Sequence, residues 1–163
     1  MNELTRDVSG RPVWLAAHVT EGEFDAILTA HQTALRLLHR LLLIIVTDKT
    51  ADAEALKDHI AGKKLRCVDW DTGDTIDDTT QVLLSRDEAN LGLWYRVAPV
   101  TFMARSLTAD AAGASPLEAA ALGSAVLYGN HVRDHMEAYA RLAAAGAARS
   151  VRDGESLGSA VIQ

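Results

Sequence analysis

The chain has 163 residues, 48% of them apolar and 23% charged, which suffices for one domain with a real core. Its formal net charge of -6 argues against non-specific nucleic-acid binding. The single cysteine, Cys67, excludes an intrachain disulfide framework and points to a reducing compartment.

Residues 1–11 are polar and read as a linker or frayed end with no signal peptide, leaving residues 12–163 as the domain. Residues 12–17, a short apolar run, predict a first buried strand. Thr20 with Glu23 three residues later fits a capping box. The following helix carries Phe24, Ile27, Leu28, His31, Leu35 and Leu38 on one face, with His31 expected to pack in the core. Residues 41–46 are unbroken aliphatics, as a central parallel strand requires, and are far too few to span a membrane. Residues 52–61 form a second helix with Ala53, Leu56 and Ile60 inward, stopped by Gly62. Residues 65–70 are the next strand.

The Asp-Trp-Asp-Thr-Gly-Asp run from Asp69 has turn composition, and no Glu closes it as a calcium loop. Residues 80–84 and 99–103 read as strands around a helix at 87–95, whose packing candidates are Ala89, Leu91 and Trp94. After a small-residue loop, Ser115 can cap a short helix, Pro116 suits its first position, and Glu118 falls where the dipole favours a carboxylate. Gly123 ends it, and residues 125–128 read as a buried strand. Residues 131–145 predict a long helix with Val132, Met136, Tyr139, Ala140 and Ala143 on one face. His131 and His135 have the spacing of a metal pair, but no third ligand is evident and no metal is assigned. An edge strand at 148–151 and a helix at 156–162 close the chain. The expected fold is α/β: a doubly wound, mostly parallel sheet of about six strands with helices on both faces. Ligands in such sheets bind beyond the C-terminal strand ends, here residues 18–22, 47–50, 85–88, 104–115 and 129–134.

The segment from Ser106-Leu107 through Gly113-Ala114-Ser115-Pro116-Leu117-Glu118 to Leu122-Gly123, Val126-Leu127, Gly129 and His131 follows a known order. Upstream, Trp14-Leu15-Ala16-Ala17 precedes Glu21-Gly22-Glu23, and Leu91-Gly92-Leu93-Trp94-Tyr95 lies between. In this series the chain resembles the C-terminal domain of the Kdo transferases, which move 3-deoxy-D-manno-octulosonic acid from its CMP ester to a lipid A precursor. The resemblance implies a Rossmann-like half of a two-domain GT-B glycosyltransferase. That half binds the CMP-sugar donor, while a missing N-terminal domain supplies the base and the lipid A precursor site, at the cytoplasmic face of the inner membrane. It implies no cofactor, no nucleic-acid partner and no catalytic residue in this half. The carried-over positions are Glu118, Leu117, Pro116, Ser115, Gly113 and Ser106 around the donor helix, Glu21 and Gly22 at the interdomain edge, and His131. Glu118 would accept hydrogen bonds from the ribose hydroxyls. The pattern also changes here: His18-Val19-Thr20 replaces its Ser-Thr-His, Thr47-Asp48-Lys49 its Pro-Arg-His, Ala112-Gly113-Ala114-Ser115 its Gly-Gly-His-Asn, and Ser85-Arg86-Asp87-Glu88 the start of its Gly-Asp-Thr-Met-Gly-Glu. Lys49 or Arg86 is expected to replace the lost arginine charge. The alternative is a domain that keeps the fold as a binding or interaction module.

Overall fold

The computed structural model describes residues 12–19, 23–47, 52–69, 80–85, 91–104, 117–122, 124–129, 132, 135–151, 157–158 and 160–161. Seven strands form one sheet: β1 (Val13–Val19), β2 (Leu42–Thr47), β3 (Cys67–Asp69), β4 (Val82–Ser85), β5 (Val100–Met103), β6 (Ala125–Tyr128) and β7 (Ala148–Ser150). The order is β3-β4-β2-β1-β5-β6-β7, and every neighbouring pair is parallel. The helices are α1 (Phe24–Leu35), α2 (Asp52–Gly62), α3 (Leu91–Val97), α4 (Leu117–Ala121) and α5 (Met136–Ala144). Among the described residues, no helix is long and apolar enough to cross a membrane. Residues 1–11 lie outside the described ones.

Alternate strand residues point to opposite faces, and both faces are apolar. Trp14, Ala16, Leu43, Ile45, Val82 and Leu84 pack with Phe24, Ile27 and Leu28 of α1, Leu56 and Ile60 of α2, and the helical residues Leu157 and Val161. Leu15, Ala17, Ile44, Val46 and Leu83 pack on the other face with Trp94 and Tyr95 of α3, Ala119 of α4 and Tyr139 of α5. Each fully buried aliphatic side chain contributes about 1.5–3 kcal/mol. Gly158 lets the last helical turn lie on α1: a Cβ there would meet the Ala30 carbonyl at 3.2 Å.

His31 is fully buried and holds the first layer in register. The Trp14 indole N–H donates to His31 Nδ1 at 3.1 Å. Since an indole N–H only donates, Nε2 carries the ring hydrogen and donates to the Gln81 carbonyl at 2.8 Å. Gln81 Oε1 in turn accepts from the Arg66 N–H at 2.9 Å. One imidazole thus ties α1 to β1 and to the entrance of β4.

Several boundaries differ from the sequence reading. Glu23 takes the N-cap position of α1 and is buried, with no side-chain capping bond from that position; the expected capping box involves Thr20, which lies outside the described residues. Gly62 is still helical; the left-handed residue after α2 is Lys64. Leu56 and Ile60 point inward, while the Ala53 side chain lies outside those described, as do Ala89 and the Leu91 side chain. β3 is shorter than 65–70 and sits at the sheet edge, which leaves Cys67 exposed. Asp69 is buried against Lys57 Nζ at 2.7 Å, and residues 70–79 lie outside the described ones.

The long helix at 131–145 is shortened to nine residues, because Val132 is not helical and His135 caps α5. Of its expected inward face only Tyr139 is buried within the helix; Met136, Ala140 and Ala143 are exposed. The expected edge strand is β7, which brings the count to seven strands.

His31→Ala should cost about 3 kcal/mol or more, since it leaves a cavity and strands the Trp14 indole and the Gln81 carbonyl. Chemical denaturation checks this. Burial raises the Tyr139 phenol above its ordinary value, with Tyr95 and Tyr128 adding to the shift. The unfolded chain therefore ionises first. The stability is intact below about pH 10 and is lost as pH rises above it. Tyr139→Phe should flatten that alkaline loss in midpoints measured from neutral pH upward.

Candidate functional site

β1 and β5 lie side by side, yet the chain leaves them in opposite directions. From β1 it passes through α1 on one face to β2; from β5 it passes through α4 on the other face to β6. The strand order reverses here, which opens a crevice beyond the C-terminal ends of β1 and β5. By chain order, residues 20–22 follow β1 and residues 105–116 join β5 to α4. The expected site segments therefore belong to the two sides of one switch point.

Of the expected site residues, Leu117 and Glu118 are described. Both are exposed in the first turn of α4, and Glu118 makes no ion pair among the described residues. α4 has only five residues, so its dipole is a weaker anion-attracting element than the sequence reading assumed. Pro116, Ser115, Gly113, Ser106, Glu21, Gly22, Lys49, His131 and Arg86 lie outside the described residues. His135 takes the N-cap position of α5 without a side-chain capping bond, and Val132 is not helical. Among the described residues no three of His, Cys, Asp and Glu are grouped to hold a metal.

The buried hydroxyls at the two ends of the central strands differ in their pairing, while the buried Asp69 carboxylate at the end of β3 is paired with Lys57. At the N-terminal ends of β5 and β6 they are paired: the Thr101 and Ser124 hydroxyls stand 2.6 Å apart, and Ser124 donates to the Ala98 carbonyl at 2.9 Å. At the C-terminal ends of β2 and β4, the Thr47 and Ser85 hydroxyls are buried with no hydrogen-bond partner. Such groups cost stability and call for an explanation. Thr47 aligns with Val19 of β1, one strand from the switch point, whereas Ser85 aligns with Val46 of β2 and stands one strand further out. Sequence reasoning missed these two, as well as the burial of Glu23. The available signal was a hydroxyl as the last residue of each apolar strand run.

Comparison with known proteins gives the frame for this geometry. No protein-family model matches. A stretch of 132 residues is 29% identical to the 3-deoxy-D-manno-octulosonic acid transferase of Haemophilus influenzae, covering 81% of this chain and 31% of that protein. The crystal structure of the C-terminal CMP-Kdo binding domain of WaaA from Acinetobacter baumannii superimposes with a TM-score of 0.90 at 21% identity, over 95% of this chain and 80% of that one. The chain resembles the C-terminal domain of the Kdo transferases. It spans about a third of the length of the curated Kdo transferase it matches. An α,α-trehalose-phosphate synthase from Burkholderia vietnamiensis shares the fold more loosely, with a TM-score of 0.60 at 14% identity over 98% of this chain and 37% of that one. The architecture is therefore the α/β fold shared with these glycosyltransferase structures, as the Kdo transferase resemblance implied.

Removing a buried, unpartnered hydroxyl removes its desolvation cost, about 1 kcal/mol. Thr47→Val and Ser85→Ala should hold or raise the denaturation midpoint, whereas Thr101→Val, which breaks a paired hydroxyl, should lower it. Equal losses at both ends of the sheet would contradict the division.

Proposed function

We propose that this chain is the donor-binding half of a Kdo-type glycosyltransferase and that it holds a CMP-sugar, CMP-Kdo by the family resemblance. The observation that carries this reading is the stretch in register with a Kdo transferase, 132 residues at 29% identity. Its matched segments follow strand ends on both sides of the switch point, where α/β sheets take their ligands. In this reading Glu118 accepts hydrogen bonds from the ribose hydroxyls through its exposed carboxylate. Leu117 beside it packs on the nucleoside, and Ser106, Gly113, Ser115 and Pro116 shape the loop between β5 and α4. Glu21 and Gly22 border the second domain, Lys49 supplies positive charge after β2, and His131 approaches from the segment after β6.

The domain orients the donor, and an N-terminal domain brings the acceptor and the general base. The acceptor is a lipid A precursor, which places the whole protein's work at the cytoplasmic face of the inner membrane. No observation favours the alternative of a fold kept as an interaction module.

Titration with CMP, followed by amide NMR shifts with UMP and CDP as controls, tests this. The expected result is selective shifts at Leu117, Glu118 and the C-terminal ends of β1 and β5. Glu118→Gln should weaken CMP about tenfold, because a neutral acceptor replaces a charged one. A chain that does not distinguish CMP from UMP contradicts the reading.

A further inference from the structure

Among the described residues, two that are not glycine adopt a left-handed backbone: His18 and Lys64, each with φ of 59°. Lys64 has a local reason. It follows α2, where its N–H bonds the Ala61 carbonyl at 3.0 Å and the Leu65 N–H bonds the Ile60 carbonyl at 3.3 Å, the ordinary closure of a helix end. His18 has no helix to close. It stands inside β1, where Ala16 aligns with Ile45 and Val19 with Thr47, so Ala17 and His18 together oppose Val46 alone. That is a β-bulge, and a bulge residue with positive φ is ordinarily glycine.

The bulge also changes the side-chain alternation. Ala16 and Val19 both join the apolar cluster under α1, and Ala17 joins the opposite one. His18 belongs to neither cluster and is half-buried. Ala17 aligns with Met103 of β5, so the displaced residue stands on the strand at the switch point. The neighbouring register position on β2 is Thr47, whose buried hydroxyl lacks a partner.

We propose that the bulge sets the His18 imidazole as a phosphate-recognising group of the donor site, an inference that rests on the donor-site reading above. A ring N–H donates to an anionic oxygen, and such charge-assisted bonds are the stronger kind. A strained backbone at a non-glycine residue is kept where the surrounding structure uses it, most often at ligand sites. The Kdo transferase pattern has serine at this position, so the imidazole is a property of this chain, in which aspartate replaces the arginine that the pattern carries after β2.

The experiment compares CMP with cytidine, which lacks the phosphate, on the parent chain, His18→Gly and His18→Ala. Glycine relieves the backbone and alanine does not, while both remove the imidazole. His18→Gly should raise the thermal midpoint by about 2–4 °C, and His18→Ala should not. Both should weaken CMP about tenfold and leave cytidine unchanged. Variants that keep the parent's preference for CMP over cytidine would overturn the role of His18 alone. A parent chain that binds CMP no better than cytidine would overturn it too. A parent that binds neither compound would overturn the donor-site reading and this inference with it.

Discussion

β1 has a hydrogen-bonded neighbour on each side and helices over both faces, so its side chains from Val13 to Ala17 meet only a packed interior. A parallel strand in that position has no solvated face. Its polar chemistry is confined to its ends, and the same holds for β2 and β5. The crevice between β1 and β5 follows from this constraint and from the reversal of winding between them. Once the central strands are apolar throughout, a ligand can be met only where the strands stop and the chain turns away.

The two ends of the sheet then take different roles. At one end, the buried polar groups of His31, Trp14, Gln81, Thr101 and Ser124 find partners within the fold. Each closed bond there fixes the register of a strand or helix that the apolar contacts alone would leave free to slide. At the other end, Thr47 and Ser85 are buried without a partner, and β1 bulges at a residue that strains its backbone. Leaving such groups unmatched costs stability, which a fold tolerates where function sets the local structure.

Much of this was legible in the chain. Residues 41–46 could be only a central parallel strand, and His31 in an apolar helical stripe could be only a core residue. The order of motifs around Glu118 gave the family resemblance. Other features were not legible for identifiable reasons. The apolar spacing after residue 131 is as good before residue 135 as after it, so the pattern does not show that α5 begins at Met136. Glu23 is fully buried at the start of α1, which a charged residue in a polar stretch does not announce. The bulge at His18 leaves no trace in an apolar run, because a single inserted residue changes the register and not the composition.

Fold and strand-end chemistry are consequently separable in this molecule. Of the positions at which the chain departs from the Kdo transferase pattern, the apolar clusters on the two sheet faces contain Val19 and Ala119, the latter where the pattern has proline. Thr47 and Ser85 are the last residues of their strands, His18 is the bulge, and Asp48 and residues 112–115 belong to connections. Substitutions there alter charge and hydrogen bonding at the crevice while the sheet keeps its packing. A fold of this kind can therefore hold its shape across low identity, because the core fixes the sheet while the strand ends and connections can change their chemistry without disturbing it.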